Sequence, residues 1–179
     1  MNPYFRSSDY AEALKEKGVR LIAPLYAGST ADLPMIPPEI QSVFKGEGVV
    51  IIDVGGDDVG SRVLGSFADK IQKIDYDMLY VINKYRILST TAEETVSLLR
   101  EIELASQLKA TGIVNNSHLM QDTTPAVISA SLAYAEETSA AAGVPIRATV
   151  IPGFLADRLG PGYYPVNIYV HPPWVDGAV

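Results

Sequence analysis

The sequence predicts an α/β protein: a doubly wound, mostly parallel sheet with helices on both faces. Three observations predict it. Apolar runs of strand length alternate with longer segments that carry helix start and stop signals. The runs VVIIDV, MLYVIN, TGIVNN and RATVIP are continuous rather than alternating, the pattern of strands covered on both faces. Strand and helix patterns then follow one another along the chain, as βαβ units require.

The elements follow in order. Residues 7–17 read as a short helix that Ser8 or Asp9 can cap and Gly18 ends. VRLIAP, residues 19–24, reads as the first strand, and a Gly-, Ser- and Pro-rich loop covers 26–38. PPEIQSVFKG reads as a helix with Pro37 or Pro38 in its first turn and Gly46 after it. VVIIDV, residues 49–54, is the second strand. Residues 60–74 read as helical, with Val63, Leu64, Phe67 and Ile71 along one side. MLYVIN, residues 78–83, is the third strand. Thr91 and Glu94 form a capping box that opens a helix reaching about Leu108. TGIVNN, residues 111–116, is the fourth strand. Thr124 caps a long helix with Pro125 at its first position and Gly143 at its end. RATVIP, residues 147–152, is the fifth strand. FLADRL reads as a short helix before a Pro- and Tyr-rich tail, in which VNIYVH reads as an edge strand.

Composition narrows the function. The 179 residues are 47% apolar and 20% charged, as expected of a globular chain able to bury a sizeable core. A net charge of −7 argues against a nucleic-acid surface, which needs clustered Lys and Arg. A small anion site made of backbone N–H groups stays compatible with it. With no cysteine, disulfides, thiolate zinc sites and cysteine nucleophiles are excluded. The opening MNPYFRSSDY has no apolar core of a signal peptide, and no run reaches the ~18 apolar residues of a membrane span. A cytoplasmic location is the default expectation.

Ligands of open parallel sheets bind beyond the carboxyl ends of the strands. There the sequence places Asp53, Asn83, Asn115, Asn116 and Pro152. Asp and Asn also favour turns and caps for local reasons, yet their recurrence at the same end suggests a polar ligand rim. The stretch VVIIDVGGDDVGSR is its most specific part. A carboxylate at Asp53 can hold Mg²⁺ through water, and Gly55 and Gly56 let backbone N–H groups approach a terminal phosphate. Asp57 and Asp58 would repel phosphate, so they are expected to face solvent or to cap the next helix. The matching phosphate cradle, GxxxxGK[ST], is absent from the 179 residues, as are GxGxxG and GxSxG. Asn83-Lys84 resembles the start of the guanine-reading NKxD motif, but Arg86 occupies the place of its Asp. His118 and His171 read as surface histidines.

The order IIDVGGDD, YVINKYR, TGIVNNSHL, VIP, after the opening NPYFRS, resembles the later two-thirds of a MinD/ParA/CobQ-type P-loop ATPase domain. The match covers residues 2 to about 152, and the Asp-Gly-Gly stretch and NPYFRS are its specific parts. The resemblance implies ATP and Mg²⁺ as ligands. Asp53 would be the Walker B carboxylate, and Gly55 and Gly56 the switch beside the γ-phosphate. Asn116 would read the adenine edge, with Asn115 next to it and Asn83 and Pro152 lining the base pocket. Asn2 and Arg6 would belong to the first switch region. Members of the family often dimerise on ATP and control a partner protein, so a homodimer or a partner protein is expected. In the family a P-loop strand, its loop and helix and a further strand precede NPYFRS; here Met1 stands where the family has Val. The expectation is a shortened reading frame or a split gene, and a chain that by itself has lost most of the phosphate-binding energy and shows weak or no ATP hydrolysis.

Two other functions fit the same residues: a non-enzymatic α/β interaction module, and a metal-dependent small-molecule enzyme using Asp53, Asp57 and Asp58. The expected domain organisation is a truncated P-loop-like domain over 1–152. A Pro/Tyr-rich extension over 153–179 packs on it, with Tyr163, Tyr164, Tyr169 and Trp174 as packing or dimer-contact aromatics.

Overall fold

A computed structural model of the protein describes residues 10–22, 39–46, 48–56 and 58–169. Asn2, Arg6, Asp57, His171 and Trp174 lie outside them. The chain divides into two compact units, Met1–Gly55 with Val170–Val179, and Gly56–Tyr169.

The first unit contains α1 (Ala11–Glu16) and α2 (Ile40–Val43). Gly18 stops α1 as expected, its φ of +74° placing it in the left-handed region. Residues 19–22 and 49–55 differ from expectation: they run without regular structure rather than as strands. The run that ends in Asp53 stands in solvent, with Val49 93% and Ile51 89% exposed. A strand is held by hydrogen bonds to a neighbouring strand. Among the described residues neither run has such a neighbour, and β-branched composition alone does not supply one.

The second unit holds the sheet. It begins with α3 (Asp58–Gly65) and α4 (Ala68–Ile71), the two pieces of the helix expected over 60–74. Then β1 (Leu79–Ile82), α5 (Ala92–Ser106), β2 (Gly112–Asn115), α6 (Pro125–Ala142) and β3 (Ile146–Pro152) alternate. A short α7 (Ala156–Leu159) leads to β4 (Tyr164–Val166). All neighbouring strands are parallel, in the order β1-β2-β3-β4. The α/β class with an all-parallel sheet and flanking helices is as expected. The last described strand falls at Tyr164–Val166, residues 167–169 of the strand expected over 166–171 have no regular structure, and Pro165, which cannot donate to a ladder, suits its edge position.

Local chemistry fixes the long helices. At α5 the Thr91 hydroxyl accepts from the Glu94 N–H (3.2 Å), and the Glu94 carboxylate accepts from the Thr91 N–H (3.2 Å). At α6 Thr124 accepts from the Val127 N–H, Pro125 fills the first position, and Gly143 closes the helix at φ +68°. In register, Tyr80 pairs with Ile113 and Ile82 with Asn115. Their shared face packs on Leu99 and Ile102 of α5 and on Tyr134 and Ala135 of α6. Leu99 and Ile113 are fully buried, and each such side chain contributes roughly 1.5–3 kcal/mol of hydrophobic stabilisation. Ile128, Ile151 and Leu155 form a second apolar cluster under α6.

Leu79 and Val81, on the alternate side of β1, are 49% and 58% exposed. α3 packs on α5 where Gly65 meets the Ala105 carbonyl so closely that a Cβ would stand 2.5 Å from it. Buried Glu103 ties the end of α5 to the start of β2. It accepts from Arg100 (2.8 Å), Lys109 (2.9 Å) and the Ala110 N–H (3.1 Å). Burial pushes its carboxyl up, but the hydrogen bonds from Lys109, Arg100 and Ala110 outweigh that and hold it below the ordinary glutamate value.

Candidate functional site

Because the strands are parallel and neighbours in chain order, the carboxyl ends of β1, β2 and β3 lie along one edge of the second unit. Asn83, Asn115, Asn116 and Pro152 therefore share that edge. Asp53 and Gly55 belong to the first unit and are exposed. Gly56 begins the second unit, also exposed, with open space where a Cβ would stand.

Two turns are stapled together at this edge. After β1, the Asn83 side-chain oxygen accepts from the Tyr85 N–H (2.9 Å), and its carbonyl accepts from the Arg86 N–H and the Ser89 hydroxyl, both at 3.1 Å. This is an Asx turn, the local reason an Asn ends the strand. After β2, the Asn116 N–H bonds the Ile82 carbonyl (2.9 Å), and the Lys84 N–H bonds the buried Ser117 hydroxyl (2.9 Å). Each turn is thus held by the other.

The two asparagines after β2 differ completely. Asn115 is fully buried; its NH₂ donates to Ser131 on α6 (3.0 Å) and its oxygen accepts from the Ser117 N–H (3.3 Å). It fixes the turn and the helix behind it. Asn116 is half-buried, and its side-chain amide makes no hydrogen bond among the described residues. Pro152 ends β3, buried and paired with Val166.

Further residues stand around the edge, some of them, such as Tyr134, Thr95 and Ser117, with no sequence signal of their own. The Lys84 ammonium stands 5.6 Å from the Tyr134 ring centroid, within cation–π range. The Tyr134 hydroxyl meets Thr95 (2.8 Å), whose carbonyl accepts from Tyr80 (3.1 Å). Burial pushes both tyrosine hydroxyls up, so they act as neutral hydrogen-bonding groups. Tyr85 reaches over to the Val127 carbonyl in the first turn of α6 (2.7 Å). His118 is half-buried; its Nδ1 accepts from the Met120 N–H (3.2 Å), and burial lowers its pKa. A neutral ring in this state carries its proton on Nε2. Lys84 had only a weak sequence signal, since a Lys after a strand end reads as an ordinary turn residue.

Chemically, the edge offers an Asn116 amide with no hydrogen bond among the described residues and a cation at Lys84, while Pro152 is fully buried. Among the described residues no three His, Asp or Glu side chains converge on a point where a metal ion could sit, and no helix is long and apolar enough to cross a membrane. No family model, curated protein or solved structure matches the chain.

Proposed function

We propose that this edge is the base-reading side of an adenine-nucleotide site in a MinD/ParA-like domain. The 179 residues contain no GxxxxGK[ST] phosphate loop, so in this reading the chain alone holds the nucleotide weakly and turns it over weakly or not at all. The supporting observation is the contrast between Asn115 and Asn116: one amide is spent on holding the turn, and the next is half-buried with no hydrogen bond among the described residues. An Asn amide offers a donor and an acceptor side by side, the pair that matches an adenine edge. Asn83 flanks the base in this reading, and Lys84 places a positive charge near it; Pro152, expected to line the base pocket, is fully buried and does not meet the base. Asp53 is the group assigned to water-mediated Mg²⁺, with Gly55 and Gly56 at the terminal phosphate and Asn2 and Arg6 in the first switch. A Mg²⁺ ion there would supply charge neutralisation of the phosphates.

The test is an NMR titration of the amide spectrum with adenosine, ATP-Mg²⁺ and GTP-Mg²⁺. The expected result is adenosine and ATP moving the Asn83, Asn116 and Ser117 resonances at millimolar concentration, GTP leaving them in place, and N116A abolishing the response. Equal shifts with GTP, or none with adenosine, would overturn the base-reading assignment. Micromolar ATP affinity would overturn the missing cradle.

A second reading, the non-enzymatic interaction module, draws on the exposed apolar run before Asp53. A silent titration together with self-association would favour it. The metal-dependent enzyme would need Asp53, Asp57 and Asp58 to form a carboxylate cluster, and Asp57 lies outside the described residues.

A further inference from the structure

The loop between β2 and α6, residues 116–123, is closed by two side chains of different chemistry. Near its start the His118 N–H bonds the Asn116 carbonyl (3.0 Å). The His118 ring then reaches forward, and its Nδ1 accepts from the Met120 N–H (3.2 Å). Buried Thr123 closes the other end: its hydroxyl accepts from the Leu119 N–H (2.9 Å) and donates to the Met120 carbonyl (2.6 Å). Between these two clasps Met120 has φ +53°, in the left-handed region that a residue with a Cβ enters at a cost. Such a conformation persists only while its surroundings impose it.

The Thr123 hydroxyl does not titrate near neutral pH, so that clasp holds throughout. The imidazole clasp does not. Its Nδ1 accepts only while the ring is neutral; in the imidazolium both nitrogens are donors. A proton on Nδ1 faces the Met120 N–H, donor against donor, and the left-handed Met120 loses one of the two groups that impose it. Among the described residues, the charged groups of the loop and the neighbouring strand ends are Asp122 in the loop, Lys84 and Arg86 after β1, and Asp157 and Arg158 after β3. The first half of α6, Pro125–Tyr134, brings only the neutral Tyr134 hydroxyl. Both signs of charge are represented, and burial is what disfavours the imidazolium.

We propose that His118 is a proton-operated latch on the loop 116–123: the neutral ring holds Met120 in its left-handed turn, and the protonated ring releases it. The released loop takes up the proton at the ordinary histidine value of about 6.5, and the closed loop only below it. The open fraction therefore grows as pH falls below about 6.5, by at most about tenfold per pH unit, and levels off below the closed-loop value. The loop begins at Asn116, so acid also weakens the binding of adenosine. That last consequence rests on the base-reading assignment; the latch itself does not.

The test is NMR of the unliganded chain between about pH 5 and 8, a range that brackets histidine titration. Long-range proton–nitrogen spectra read the His118 ring, and hydrogen exchange, corrected for the intrinsic rate, reads the Met120 amide. The expected result is an Nε2–H ring at high pH and a fall of at least about threefold in Met120 protection at low pH. H118N, whose side-chain oxygen can accept from the same N–H without titrating, should keep that protection at both ends of the range. H118A should lack it at both. A ring protonated on Nδ1 at high pH, a ring still neutral at the acid end, Met120 protection that ignores pH, or an equal fall in H118N would each overturn the latch. Adenosine added at both ends separates the two readings: no response at either pH counts against the base-reading edge, while the unliganded spectra still decide the latch.

Discussion

Replacing Asn115 by Ala removes an amide that the structure seals between β2, the following turn and α6. Two interactions disappear, the 3.0 Å bond to Ser131 and the 3.3 Å bond from the Ser117 N–H. Ser131 keeps its own bond to the Ile128 carbonyl (2.8 Å), so its hydroxyl proton stays satisfied and the loss there is about 1 kcal/mol. The Ser117 N–H is worse placed. It belongs to a buried residue and would have no acceptor, a cost of about 1–3 kcal/mol. The sum is roughly 2–4 kcal/mol, or a fall in Tm of roughly 6–12 °C for a chain of this length. Urea unfolding followed by circular dichroism, with the slope checked for constancy, measures it. N116A is the paired control and should stay within about 0.5 kcal/mol of the unaltered protein, because its side-chain amide makes no hydrogen bond among the described residues. A loss below about 1 kcal/mol for N115A would refute the reasoning: Asn115 would then not be committed inside, and it would regain its place as a candidate ligand residue.

His118 should make stability depend on pH near neutrality. Burial lowers its folded pKa below the unfolded value, so its contribution is present above about pH 6.5 and lost as pH falls through the folded value. H118N, which can still accept from the Met120 N–H, should flatten that slope in melting curves taken between pH 5 and 8, values chosen to bracket the ordinary histidine range of about 6.5; an unchanged slope would show that another group titrates. G65A should force α3 away from α5, because its Cβ would stand 2.5 Å from the Ala105 carbonyl. The expected loss is about 1–3 kcal/mol, and an unchanged urea midpoint would show that the helix crossing is looser than described.

The sequence by itself determined the helices α5 and α6 almost to the residue. Their signals, the Thr91–Glu94 box and the Thr124-Pro125 start with Gly143 at the end, act within one turn of the chain, and nothing distant competes with them. It also determined the parallel sheet class, because strand-length apolar runs alternate with helix start and stop signals, as βαβ units require. Tertiary structure alone decided the fate of residues 49–54, whose composition is as strand-like as that of β1. A strand needs a neighbour at hydrogen-bonding distance, and composition does not say whether one arrives. It decided likewise between Asn115 and Asn116. Adjacent residues on a strand end point in different directions, so one amide meets Ser131 sixteen positions away in α6 while the other is left at the edge.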